Sequence, residues 1–213
     1  MRLKILTAFL LVAIFGGCAA FRGKVYILED PKVKEAYSAI ELPYSIKIDG
    51  ETFTRKYKNL AAAYYFLNGE EGFGWSKLVS ISYFNDVKNI DEYAYGIYQA
   101  IEEANAGKKQ EDRRSFGILK TNHTQAIIVL LNPPAPGDPN FNKYEVDLMV
   151  ADMQSCGLVL VQYAKNFDSD RDFKKMRKFI KENKAKILPQ MPKIRCSNAL
   201  KSPVCDKILP QRF

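Results

Sequence analysis

Much of the chain shows alternating apolar and polar residues, a two-residue period that predicts β-strands with one buried face. The run at 44–48 alternates in this way and is followed by Asp49-Gly50 and a second run at 52–57. An Asp-Gly pair between two such runs favours a tight turn. The first predicted unit of the domain is therefore a β-hairpin.

Six further segments carry strand patterns, and they differ in how many faces they bury. The segment 79–83 alternates and predicts a half-buried strand, whereas 126–131 and 158–164 are apolar on both sides, which is typical of strands covered on both faces. The segment 60–67 combines alanines with aromatic residues, and we interpret it as a strand end. The remaining strand segments are 116–119 and 144–150.

Two segments show the period of a helix instead. The first runs from about Ile90 to Asn105 and the second from about Asp170 to Lys186, where Ser169 and Asp172 form a predicted capping box. The apolar face of the first is predicted from Ile90, Ala94, Ile97, Tyr98, Ile101 and Ala104. The inner stripe of the second is predicted from Phe173, Met176, Ile180 and Ile187.

This order of elements predicts an α+β domain with an antiparallel sheet of about 6–7 strands and helices packed on both faces. The domain is expected over residues 43–188, after a lead-in at 18–42 and before a tail at 189–213. The order resembles the sandwich of the PsbP and Mog1 type. The segments 75–81 and 160–164 also resemble a pattern in small exported bacterial proteins of unknown function, which implies no activity.

The first 17 residues have the layout of a secretory signal peptide. Arg2 and Lys4 precede the apolar run Ile5 to Phe15, and small residues follow it. A bilayer-spanning helix needs roughly 20 apolar residues, so this run is too short for a permanent span. The chain is therefore predicted to be exported.

The end of this leader, Phe15-Gly16-Gly17-Cys18, resembles the lipobox of bacterial lipoprotein precursors. The resemblance implies that Cys18 is acylated and becomes the first mature residue. Ala19 follows the cysteine where an aspartate would favour the inner membrane, so the resemblance implies an outer-membrane anchor facing the periplasm. The alternative is cleavage after Ala20, which would release a soluble exported protein.

The net charge is +8, and a positive protein favours anionic neighbours. Outside the cytoplasm these are lipid headgroups or acidic proteins rather than nucleic acid. The second predicted helix concentrates the charge, with Glu182 as the sole acid between Lys174 and Lys186. The alternative is an ordinary solvated face. The candidate contacts with an anionic surface are Lys174, Lys175, Arg177, Lys178 and Lys181.

Candidate catalytic chemistry is sparse. His123 is the only histidine, and the sequence has no Gly-x-Ser-x-Gly or phosphate-binding loop. Paired acids at 70–71 and 102–103 could serve acid–base chemistry only with shifted pKa values, and 102–103 is predicted to be a solvated helix face. These observations favour a non-enzymatic binding protein with no cofactor or metal, over the alternative of an envelope hydrolase that uses carboxylates. Tyr64, Tyr65, Tyr93 and Tyr95 could leave an aromatic recognition patch on the surface.

Cys196 and Cys205 are predicted to form a disulfide, because they lie close together in a polar tail of an exported chain. Cys156 would then be a free thiol, and closing so short a loop should stabilise the fold by roughly 2–3 kcal/mol. Peptide mapping of alkylated, unreduced protein should recover the two tail cysteines in one linked peptide. Recovery of both as alkylated thiols would contradict the pairing.

Overall fold

The computed structural model describes residues 40–58, 62–72, 74–84, 87, 89–134, 142–155, 157–167 and 173–195. One eight-stranded sheet dominates this part of the chain, in the order β1-β2-β3-β4-β8-β7-β6-β5. The strands are β1 Ser45–Ile48, β2 Glu51–Lys58, β3 Ala62–Leu67, β4 Lys77–Phe84, β5 Ser115–Thr121, β6 Gln125–Asn132, β7 Tyr144–Gln154 and β8 Gly157–Phe167.

The sheet consists of two antiparallel meanders, β1 to β4 and β5 to β8, joined where β4 pairs with β8. Helix α1, Ile90–Asn105, makes the connection between them. The pairing of β4 with β8 runs in regular register from Lys77 opposite Lys165 to Phe84 opposite Leu158. The middle of the sheet is therefore formed by strands that are far apart in sequence.

The predicted first hairpin is confirmed, with β1 and β2 joined by Asp49 and Gly50. Both residues have positive φ, 56° and 77°, which is the conformation of the mirror-image turns that fit the twist of paired strands. The backbone N–H of Asp49 also donates to the Gln190 side chain at 2.8 Å. The turn is thus held by residues from the opposite end of the domain.

Helix α1 has the predicted bounds, but its buried face is shifted from the predicted one. Tyr93 is buried, whereas Tyr98 is 47% exposed. The packing of the sheet side chains selects Tyr93 and Ala100 for the interface, and sequence spacing alone cannot distinguish neighbouring positions on a wide apolar stripe. The core of this face combines α1 residues Ile90, Tyr93, Ile97, Ala100 and Ile101 with Ala126, Ile128, Leu130, Met149, Ala151, Leu158 and Leu160.

Helix α2, Phe173–Ile187, packs against the other set of sheet side chains. Met176 and Ile187 of the predicted stripe are fully buried, and Ile180 is half-buried. Phe179, which was not predicted, joins Ile180 against Tyr144 and Val146. The side chain of Phe173 and the predicted capping box at 169–172 lie outside the described part of the chain.

Two details of the predicted architecture need correction. The sheet has eight strands rather than six or seven, because the ambiguous alanine-aromatic segment forms β3 and pairs on both sides. The two helices also do not cover the whole sheet. Beside α1, the end of the sheet at Phe66 and Leu78 is covered by Trp75 from the loop before β4. The α+β class and the antiparallel sheet with helices are confirmed.

The described residues contain no helix long and apolar enough to cross a membrane. The predicted signal peptide, Cys18 and the lead-in to residue 39 lie outside the description, as do Cys156, Cys196 and Cys205. The proposed disulfide and lipid attachment therefore stay predictions.

Helix α1 should depend on its N-cap, Asn89. The Asn89 side-chain oxygen accepts from the backbone N–H of Asp91 at 2.8 Å and of Glu92 at 3.4 Å. Asn89→Ala removes both bonds and should lower the free energy of unfolding by about 1 kcal/mol. Urea denaturation measures the change, with Asn89→Asp as the control that retains a capping oxygen. Equal losses in the two variants would show that the cap contributes nothing.

Candidate functional site

The five predicted cationic contacts lie together on the outer side of α2. Lys174, Lys175, Arg177, Lys178 and Lys181 are all exposed, while Met176 and Ile187 on the inner side have no exposed surface. The hydrophobic contacts of the inner side fix the rotation of the helix, and this rotation directs the five cations to solvent. We call these five residues the cationic strip.

An acid of the same helix lies near the cationic strip. Lys178 is 3.9 Å from Glu182, with both side chains largely exposed, and such a pair contributes little binding energy. One turn beyond the strip, Lys186 forms an ion pair with Asp49. That pair ties the end of α2 to the first hairpin and leaves the strip itself with a net positive charge.

The predicted aromatic patch is only partly correct. Tyr65 and Tyr93 are buried, Tyr64 is half-buried, and only Tyr95 of the four is exposed. Tyr65 donates from its hydroxyl to the Pro43 carbonyl at 2.9 Å. Burial raises the pKa of Tyr93 far above its ordinary value. These two rings serve packing rather than recognition.

Other predicted candidates lie on the surface. His123 is exposed at the turn between β5 and β6, where the Asn122 side chain accepts from the backbone N–H of Thr124 and Gln125. Glu102 and Glu103 are exposed on α1, as predicted. The described residues hold no group of three or more His, Cys, Asp or Glu side chains placed to bind a metal ion.

Sequence analysis missed a buried polar cluster on the α1 face of the sheet. Its five sheet residues lie on four adjacent strands and are at most 8% exposed. They are Ser80 on β4, Gln162 on β8, Glu145 and Asp147 on β7, and Asn132 on β6. With Arg114, which comes just before β5, they form what we call the carboxyl cluster.

Hydrogen bonds connect the cluster across the strands. Ser80 donates from its hydroxyl to the Gln162 side-chain oxygen at 3.0 Å. The amide of Gln162 donates to Asp147 Oδ1 at 2.9 Å, and the amide of Asn132 donates to Asp147 Oδ2 at 2.7 Å. Asp147 is thus the common acceptor, with each of its carboxyl oxygens bonded to a different strand.

Arg114 brings a positive charge to the two carboxyl groups and is held in place from α1. Asn105, the last residue of α1, accepts from the Arg114 backbone N–H at 2.8 Å and donates to the Arg114 carbonyl at 3.0 Å. Burial lowers the pKa of Arg114, while the charges of Asp147 and Glu145 raise it. The cluster therefore connects the end of α1 to the centre of the sheet.

Both carboxyl groups have raised pKa values. Burial and the neighbouring charge of Asp147 raise the pKa of Glu145 well above its ordinary value, although the charge of Arg114 and hydrogen bonding with Asn132 oppose the shift. Burial also raises the pKa of Asp147, although hydrogen bonds from Gln162 and Asn132 and the charge of Arg114 oppose the shift. Shifted carboxyl pKa values can indicate acid–base chemistry as well as a structural network. Here both groups lie beneath the surface, which disfavours contact with a substrate.

A smaller charged group lies on the α2 face. The Lys77 ammonium is 2.6 Å from the nearer Glu51 carboxyl oxygen. Lys165 places its ammonium 4.6 Å from the centre of the Phe179 ring and 5.1 Å from that of Phe167. Burial, and then the charge of Lys77, lower the pKa of Lys165. The cation–π contacts join β8 to α2.

Comparison with known proteins assigns the chain to a family but indicates no activity. No curated protein matches the sequence. Among solved structures, the chain is similar to a mutant of protein Mog1 at 9% identity and a TM-score of 0.43, covering 73% of this chain and 97% of that chain. A likeness at that TM-score supports no further inference. One family model matches residues 40–196, and the chain belongs to that family.

Proposed function

We propose that this protein is an exported lipoprotein, held at the membrane through Cys18, whose folded domain is a non-enzymatic binding module. The cationic strip on α2 is the binding surface, and its target is an anionic surface such as lipid headgroups or an acidic protein. The observation that carries the proposal is the exposure of all five cations on a helix whose opposite side buries Met176 and Ile187 against the sheet.

Electrostatics support this choice of surface. A lysine or arginine near an anionic membrane contributes about 1 kcal/mol, so five together can hold a domain that already has a lipid anchor. The anchor supplies proximity, and the strip would supply orientation. Through the lipobox resemblance, an outer-membrane location facing the periplasm belongs to the same proposal.

Two alternative functions stand beside this proposal. Cleavage after Ala20 would give a soluble exported module with the same binding surface. An envelope hydrolase is favoured by one observation, the convergence of Glu145 and Asp147, but the burial of both carboxyl groups weighs against it. The analogy with the PsbP and Mog1 sandwich is likewise a proposal, and it concerns the fold alone.

The proposal predicts that the domain binds anionic vesicles in a salt-sensitive way and that reversing charges of the cationic strip removes this binding. In the mature chain carrying Cys18→Ser, we expect binding to anionic vesicles to weaken as salt rises, because charges act over only about 8 Å at physiological ionic strength. Lys174→Glu, Lys178→Glu and Lys181→Glu together should abolish most of it without loss of stability, since exposed changes usually cost less than about 0.5 kcal/mol each. Vesicle co-sedimentation across a salt series measures both effects.

The matched control reverses three exposed lysines on the first hairpin, Lys47, Lys56 and Lys58. The change in net charge is identical, so equal loss of binding in both triple variants would show that only total charge matters. Equal binding by wild type and the α2 variant at every salt concentration would contradict the proposal. An acidic protein as the target would give retained salt-sensitive binding to envelope extract without binding to vesicles.

The lipid anchor has its own test. Cys18→Ser in the full precursor should move the protein from the membrane fraction to the soluble exported fraction, because several acyl chains give stable anchoring where electrostatic contact alone does not. Fractionation after a high-salt wash, with mass spectrometry of the mature N-terminus, measures this. A mature chain that begins at Phe21 would support the soluble alternative, and a variant that still pellets would exclude acyl anchoring.

A further inference from the structure

The carboxyl cluster contains two acids and one permanent cation in a buried place. Glu145 and Asp147 are 8% and 1% exposed, and Arg114 is the cation whose charge acts on both. If both acids were ionised, the buried cluster would carry an uncompensated negative charge, which is costly away from water. One proton on the pair makes the cluster neutral.

Hydrogen bonding indicates which acid holds the proton. Asp147 accepts on both oxygens, from Gln162 and from Asn132, and such donors stabilise an ionised carboxylate. Glu145 lies two residues before Asp147 on the same face of β7. A proton on Glu145 therefore keeps both hydrogen bonds to Asp147. A proton on Asp147 would instead place its O–H opposite an amide N–H, so that two donors face each other.

A second observation points to the same proton. Asn132 is paired with Glu145 directly across β6 and β7. The Asn132 amide nitrogen donates to Asp147, and its side-chain oxygen is buried with no hydrogen-bond partner among the described residues. A buried acceptor without a donor costs about 1–3 kcal/mol. A neutral Glu145 carries the O–H that this corner of the cluster lacks.

We propose that Glu145 is protonated in the folded protein at neutral pH, and that its proton locks the end of α1 to the centre of the sheet. The neutral Glu145 donates into the cluster, ionised Asp147 balances Arg114, and Arg114 is fastened to Asn105. Loss of the proton to solvent leaves a second buried carboxylate and weakens the lock. The proposal concerns the folded domain alone and stands apart from the proposed function.

Few other titratable or charged side chains face Glu145. Opposite Glu145, β6 presents Asn132 and β8 presents Asn166. Helix α1 contributes one buried titratable side chain, Tyr93, and its acids are exposed. Half-exposed Lys143 lies two residues before Glu145, outside the strand. Lys165 and Tyr163 alternate with Gln162 and therefore lie on the opposite face of β8.

The pH dependence follows from linkage between proton binding and folding. A carboxyl whose pKa is higher in the folded than in the unfolded chain stabilises fully below the unfolded value, about 4.3 for glutamate. That contribution is lost as the pH rises through the raised folded value. The cluster therefore makes the domain more stable in acid and less stable toward neutral and alkaline pH.

Glu145→Gln tests the proposal, since glutamine keeps a donor at this position and cannot ionise. The melting temperature of the mature chain carrying Cys18→Ser is measured from pH 5 to pH 8, with and without the change. We expect the melting temperature of the variant to rise relative to that of the wild type as pH increases, by at least about 5 °C over the range. A glutamate still protonated at pH 7 changes stability by about two pKa units between pH 5 and pH 8 in a domain of this length. Exposed Glu102→Gln is the control and should show no such trend.

Infrared spectroscopy locates the proton independently of stability. The wild type at neutral pH should show a protonated carboxyl band that Glu145→Gln lacks and that disappears on alkaline titration. A band that survives in Glu145→Gln but is lost in Asp147→Asn would place the proton on Asp147 and overturn the proposal. If Glu145→Gln fails to fold, the wild-type spectrum decides: absence of the band at neutral pH contradicts the lock.

Discussion

The burial of β4, β8, β7 and β6 on both faces is the constraint on which the rest of the structure depends. The backbone N–H and C=O groups of these strands are satisfied by antiparallel pairing. Whether a side chain can be buried on either face therefore depends on its own packing and hydrogen bonds. Apolar residues meet this requirement by packing. A polar side chain meets it only if its partners come from neighbouring strands, because water does not reach it.

The carboxyl cluster and the cationic strip both follow from that constraint. On the α1 face, Asp147 is tolerated because Gln162 and Asn132 approach it from either side and Arg114 supplies the opposite charge. On the α2 face, Met176 and Ile187 must be buried against the sheet, and the helix geometry then leaves Lys174, Arg177 and Lys181 in solvent. The proposed lock concerns internal stability, while the proposed role of the strip is contact with a partner.

Much of the architecture could be predicted from the sequence because it is encoded locally. Asp49-Gly50 needs positive φ, and α1 has an apolar stripe of the right period, so both were located correctly. The burial of Tyr93 in place of Tyr98 could not be predicted, since both lie at the edge of that stripe and contacts with the sheet decide between them.

The carboxyl cluster was missed for a related reason. Glu145 and Asp147 look like the polar side of an alternating strand, and only the order of strands in the sheet reveals that this side is covered. One signal was present: Gln162 is a lone polar residue within the run 158–164, which was predicted to be buried on both faces. A lone polar residue in such a strand needs a buried partner, and that partner is Asp147 on the neighbouring strand.

The central functional claim is that the strip on α2, and no other surface, faces the anionic target. Lysine acylation rates measured with and without anionic vesicles test it residue by residue on the unlipidated mature chain. The account predicts slower acylation of Lys174, Lys175, Lys178 and Lys181 in the presence of vesicles, with unchanged rates at Lys108 and Lys109 beyond the end of α1. Equal slowing at both places, or slowing at Lys108 and Lys109 alone, would contradict it.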